Sequence, residues 1–499
     1  MRQFRTLAIG GGKVSKRLQV VIHGPGFDAS EPNFDHTAAA CRAPCYDVQQ
    51  GPPFKAAPCE SGLALGSFVW SLSEPEHMNR IKATRRYILA LAAAATLGTW
   101  PASAQTEGHS EAPSAEADQK AFDEVWETVR DHFYDPRLHG LDWPSVRARY
   151  RPQAGSARTQ EEMAVVINAM LAELAASHTH YYTAEDPSYY QLADIFSDAL
   201  RRRGLQRVFP SGEVTYPGIG VFTQTDNEGR TFATGVVEGA PAHGAGLLLG
   251  DEILLVDELP FRPVDSFLGK VGVSVSLKIR RTAAGAPAAI SVVPMDIRPN
   301  AMFLRGLQAS AHIIAAGNGG RIGYVHVWSY AGREYQSALE ELIAEGALRD
   351  ADALVWDLRD GWGGAEPQYL DLFNLRAPTM QVTNRNGETS MVDVKWRKPV
   401  AMLVNAGTRS GKEVLAYGFK KYQLGELIGT RTEGAVLAAT AFLIGDGGLL
   451  LLAVDDVLVD GQRLEGVGVM PTIEVAFDPR YAAGSDPQLE RAVQILSRG

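Results

Sequence analysis

A chain of 499 residues has room for two to four domains, and 45% hydrophobic with 21% charged residues is the balance of a globular protein. Its formal net charge of −10 argues against nucleic acid as the main partner, because phosphate binding needs a basic face. The three cysteines (Cys41, Cys45, Cys59) have no matching His/Cys pair downstream, so the sequence predicts no metal centre and no cofactor.

Residues 1–77 are rich in Pro, Gly and Ala and show no sustained periodicity. Met78 then opens an export signal. Arg80, Lys82, Arg85 and Arg86 form its charged region, Tyr87 to Leu97 its apolar core, and Ala102-Ser103-Ala104 a small-residue cleavage site. This reading makes 1–77 an upstream artefact, 78–104 a signal peptide, and the mature protein periplasmic or secreted. No later apolar run is long enough to span a bilayer. A polar linker, 105–117, follows.

From 118 to 210 the pattern predicts an all-helical N-terminal domain. Phe122, Val125, Trp126, Val129 and Phe133 recur at three- and four-residue spacing; Asp142-Trp143-Pro144 caps a second helix; a third runs from Glu161 to about Ala175. Ser177-His178-Thr179-His180 comes next. His180 fits a helix C-terminus, where a histidine favours the dipole. His178, between two hydroxyl residues, reads equally as structural or as a catalytic base.

Residues 213–297 turn β-rich. Gly239-Ala240-Pro241-Ala242-His243-Gly244-Ala245-Gly246 through Gly250-Asp251-Glu252-Ile253 gives a short helix, a glycine turn and a strand. This order resembles a PDZ domain, a module that binds extended C-termini by strand addition. The resemblance assigns Gly218, Ile219 and Gly220 to the loop that takes the peptide carboxylate.

Continuous apolar strands alternate with helices over 300–477, which indicates a parallel sheet covered on both faces. One of them, Val400 to Val404, leads through Asn405-Ala406-Gly407-Thr408-Arg409-Ser410 into a helix from Gly411. Ser410 thus sits beside unpaired helix N–H groups, either as an N-capping serine or as a nucleophile. Lys412, two residues along that helix, reads as a solvated surface lysine that points away from Ser410. Residues 478–499 close the chain as an amphipathic helix.

The order of these parts resembles the C-terminal processing (tail-specific) peptidases: export signal, helical unit, PDZ-like module, Asp357-Leu358-Arg359 with paired glycines, Asn-x-Gly-Thr-x-Ser, then Gly468-Val469-Met470-Pro471. The resemblance implies an α/β multidomain fold with an N-terminal helical unit, a PDZ β-sandwich-like module and a crotonase-like α/β peptidase core. It assigns Ser410 as nucleophile, and Gly363, Gly364 and Gly411 as sources of oxyanion-hole N–H groups. Where these peptidases carry a lysine base in a Thr-Phe-Gly-Lys-Gly turn, this chain has Thr432-Glu433-Gly434-Ala435-Val436. Ala435 cannot take a proton. The tricorn core proteases, a related branch, use a histidine after serine, with a glutamate acting through a second serine; on that pattern His178 is the base, oriented by Ser177 and Glu465. The expected function is an exported serine endopeptidase whose partners are polypeptides bound by their C-termini. The alternatives are an inactive peptide-binding adaptor and a crotonase-like enzyme for acyl thioesters, in which the PDZ-like stretch has no role.

Overall fold

Six strands build the central sheet, in the order His312–Ala315, Arg321–His326, Ala353–Asp357, Val400–Val404, Glu426–Gly429 and Ile473–Glu474. The first pair is antiparallel and the other four pairings are parallel. The computed structural model describes residues 115–498, apart from 318 and 394. The predicted signal peptide, the segment before it and its cysteines lie outside the described residues.

Every residue of Ala353–Asp357 and of Val400–Val404 is buried, as continuous apolar runs in a covered parallel sheet require. Leu354, Trp356, Met402 and Val404 face the helices Arg333–Ala344 and Gly411–Lys421, packing on Leu339, Leu415 and Phe419. Val355, Ala401 and Leu403 face the C-terminal helix Pro487–Leu496 through Leu489, Ala492 and Val493. Burying each such side chain contributes about 1.5–3 kcal/mol. Because neighbouring strands run parallel, the segments 358–364, 405–410 and 430–436 all leave at the same edge. That edge is where open α/β sheets bind ligands.

Residues 216–297 form a separate β module around Ile219, Ile253, Phe267, Leu277 and Ile279. In its main sheet Val221–Thr225 is an edge strand, paired only with Thr231–Val236 among the described residues.

The N-terminal helices are Ala115–His132, Trp143–Ala154 and Gln160–Ala172, the second starting at its predicted cap, Asp142. Asp142 accepts the N–H of Ser145, and Thr159 that of Glu162. Trp126 and Trp143 each donate their indole N–H to the other's carbonyl, at 3.0 and 3.1 Å, and lock the first two helices together. The all-helical expectation is broken by one short strand before helices resume at Pro187–Ile195. The third helix stops at Ala172, and His180–Tyr182 is a strand paired with Leu449–Leu451. His180 is therefore not at a helix end. Leu437, Ile444, Leu450 and Leu452 join the helical core, so its packing is shared with the far end of the chain. Three residues are too few for an alternation signal, and the partner strand is remote in sequence.

Further elements escaped the pattern, among them the strand His312–Ala315, the helix Pro299–Ser310, the strand Ala438–Leu443 and the hairpin Met380–Thr383/Thr389–Val392. A 3₁₀ segment, Pro367–Phe373, follows the paired glycines. Among the described residues, no helix is long and apolar enough to cross a membrane.

Candidate active site

Ser410 stands at the sharp junction between the strand Val400–Val404 and the helix Gly411–Lys421. Its φ of 56° and ψ of −132° lie in a region that non-glycine residues rarely adopt. Its side chain makes no capping hydrogen bond, which sets aside the N-cap reading. The conformation is held from outside. Ser410 N–H donates to Ala435 O at 2.7 Å, and Ala435 is held in turn by Glu413. The buried Glu413 carboxylate also accepts the Gly434 N–H (2.7 Å) and the Thr432 hydroxyl (2.5 Å).

Gly363 packs against the Ser410 turn so closely that a Cβ there would lie 2.4 Å from Ser410 Cβ and 3.0 Å from Gly411 N. At Gly411 a Cβ would lie 2.4 Å from Ala365 N. Gly364 has φ +93°, and a Cβ on it would meet Tyr330 O and Ala331 Cα at 2.8 Å. Both paired glycines are thus required by close backbone approach. Among the described residues no backbone carbonyl accepts the N–H of Gly363, Gly364 or Gly411. Two of these, at Gly363 and Gly411, border Ser410.

His178, Ser177 and Glu465 meet although they lie far apart in sequence. Ser177 donates its N–H to Glu465 Oε1 and its hydroxyl to Oε2, both at 2.9 Å. With that proton committed, Ser177 Oγ accepts from His178 Nδ1–H across 3.0 Å. The lone pair then resides on Nε2, the nitrogen a base needs. Glu465 Oε2 also accepts Val436 N–H at 2.8 Å, one residue from the Ala435 carbonyl that holds Ser410. A continuous hydrogen-bonded path therefore links the imidazole to the serine backbone. No hydrogen bond joins His178 to Ser410 Oγ; such bonds are often long in an empty site and tighten around substrate. Burial, with help from the Arg409 charge and against Glu465, pushes the His178 pKa down to about 4. The imidazole is neutral at pH 7.

Two charged residues near Ser410 were not assigned from sequence. Arg409 stacks on Trp362, 5.5 Å from the ring centroid, and its Nε lies 2.9 Å from Glu433 Oε2 as an ion pair without hydrogen-bond alignment. The signal for both was positional: one precedes Ser410 and the other occupies the Thr432–Val436 turn. Lys412 is a correction. It is completely buried, with Nζ 2.7 Å from Asp360 O, because the helix begins only at Gly411 and its first turn faces the 358–364 segment.

A cavity of about 760 Å³ opens over this edge, between Trp362, Arg409 and Glu433 on the core and Phe222, Gln224 and His243 on the β module. The predicted peptide loop borders the same module face. Ile219 is buried, and its carbonyl accepts Ala242 N–H at 2.8 Å; Gly220, at φ +74°, leads into the edge strand Val221–Thr225. Among the described residues no cluster of three or more His, Cys, Asp or Glu is placed to hold a metal ion.

Comparison with known proteins gives two family matches: Peptidase family S41 over residues 321–475 and the Tricorn protease C1 domain over residues 114–172. The chain is 26% identical over 407 residues to a putative tricorn protease homolog 2 of Streptomyces coelicolor, covering 78% of this chain and 33% of that protein. It is 25% identical over 415 residues to a carboxyl-terminal-processing protease of Synechocystis, covering 78% of this chain and 89% of that protein. Among solved structures, a photosystem II D1 C-terminal processing protease aligns with TM-score 0.43 and 20% identity, covering 76% of this chain and 97% of that one. The chain thus spans about a third of the tricorn-type relative and most of the processing protease.

Proposed function

We propose that the chain, which matches Peptidase family S41 over residues 321–475, is an exported serine endopeptidase acting near polypeptide C-termini. Ser410 Oγ attacks the scissile carbonyl while His178 Nε2 takes its proton. The oxyanion rests on the N–H groups of Gly411 and of Gly363 or Gly364. His178 then protonates the leaving amine, and water hydrolyses the acyl-enzyme by the same route in reverse. Ser177 and Glu465 hold the imidazole in the Nε2-basic tautomer. The observation that carries this reading is the Glu465–Ser177–His178 relay, which hangs on the segment that fixes Ser410.

The β module serves as a PDZ-type clamp in this reading. Its support is the sequence order around Gly218-Ile219-Gly220, the unpaired edge of Val221–Thr225 and the shared cavity. A peptide that adds to that edge lies against the core near Trp362 and Arg409, so binding remote from the scissile bond aligns it. The signal sequence at Met78 supports export. Ala435, at the place of the usual lysine, favours the adaptor as a second reading.

A fluorophosphonate probe separates the two. The proposed enzyme is labelled at Ser410, as located by tryptic mass spectrometry; an unlabelled wild-type chain sinks the enzyme reading. Gly363→Ala provides a second check. Its methyl has no room beside Ser410 Cβ, so the turn must shift and kcat should fall on the order of 100-fold, the scale of losing one oxyanion donor. A Gly363→Ala variant as fast as the wild type removes this turn from the oxyanion site.

A further inference from the structure

We infer that Lys412 is a positioning residue of the oxyanion site, its amine fastening the turn that carries Gly363 to the backbone at Trp328. Nζ lies 2.7 Å from Asp360 O and 3.4 Å from Trp328 O, and the side chain is completely buried. The same Trp328 carbonyl accepts Trp362 N–H at 2.8 Å, while Tyr330 N–H donates to Gly363 O at 3.0 Å. The turn 360–363 is therefore laced to residues 328–330 along its length, and Lys412 supplies a side-chain lace at its start. Little slack exists: a Cβ on Gly361 would lie 2.0 Å from Trp328 O.

Burying an amine is costly unless its donors are used, and an apolar side chain of equal length would fill the same space. Two carbonyl acceptors at the base of the oxyanion turn give the amine a task that packing does not. Burial lowers its pKa to about 7; Asp360 and Asp357 oppose that fall and Arg409 adds to it. Protonated or neutral, the amine keeps at least two N–H donors, enough for both carbonyls. The lace therefore survives this titration.

The kinetic part of the test rests on the peptidase reading; the exchange part does not. In the full chain, Lys412→Met keeps the length of the side chain and removes its donors. Amide hydrogen exchange should accelerate at least tenfold within 361–364, above all at Trp362, whose N–H is bonded to Trp328 O, and stay unchanged elsewhere. The cleavage kcat should fall about 100-fold, the cost of a small misplacement, with KM within about twofold. Lys412→Arg, which restores donors, should recover protection of 361–364. Faster exchange confined to the turn supports the inference even if the wild type cleaves nothing. Unchanged exchange, or protection lost evenly along the chain with a lowered Tm, overturns it. Should Lys412→Met fail to fold, the wild type decides by ¹⁵N NMR of its lysine side chains. Slow Nζ proton exchange at Lys412 supports the lace, and exchange as fast as that of surface lysines overturns it.

Discussion

Ser410→Ala loses peptide cleavage by on the order of a million-fold in kcat, the scale seen when a member of a triad acting as a unit is removed. The substitution deletes one oxygen. It leaves the Cβ in its contact with Gly363 and the backbone N–H on Ala435 O. Alanine meets the same positive-φ strain that serine already bears, so the Tm should stay within a few degrees. Peptide affinity should stay too, because the cavity and the edge strand are untouched. The measurement is paired: cleavage of a fluorogenic peptide with a free C-terminus, and its Kd by fluorescence anisotropy. Undiminished turnover in this variant would place the nucleophile elsewhere.

His178→Ala comes second, with a loss of about 10⁴-fold or more in kcat. The oxyanion donors remain, but the neighbouring turn offers Ala435, Lys412 faces Asp360 and Trp328, and Glu433 is paired with Arg409. The pH profile gives a sharper test. A base must be unprotonated, and His178 is neutral above a pKa lowered to about 4. Wild-type kcat/KM should therefore hold at pH 5 to 6 and fall as pH drops through about 4, whereas an ordinary histidine base would fail near 6.5. Linkage has the same direction. Protonation favours the unfolded chain, whose histidine titrates near 6.5, so this residue's contribution to stability is lost as pH falls from there towards 4. An acid limb near 6.5 would contradict the buried, Arg409-flanked environment.

Much of the sheet could be read from sequence because its strands are covered on both faces. Runs such as Ala353–Asp357 and Val400–Val404 carry their burial in composition alone. The motif order drew Ser410, His178, Ser177 and Glu465 from three separate segments, and the structure brings Ser177, His178 and Glu465 into contact. What composition does not carry is pairing between short, distant pieces. His180–Tyr182 is too brief to alternate, and Ala438–Leu443 is mixed in burial. The Met380–Val392 hairpin is exposed along its first strand, yet its Asn386-Gly387 turn was a usable signal. Lys412 was misjudged for a different reason. Helical spacing describes directions around an axis, and at a helix's first turn the incoming loop decides which of those directions is interior. Glu413 and Glu433 show the same thing: their roles arise from the 430–436 segment folding back onto the helix start.

The strand that follows His178 is stitched to Leu449–Leu451, and the carboxylate that orients the imidazole is Glu465. His178 is made early in synthesis and Ser410 much later, while the strand and the carboxylate that hold the histidine segment come later still, at 449–465. A copy broken off before residue 449 would carry serine and histidine without that scaffold.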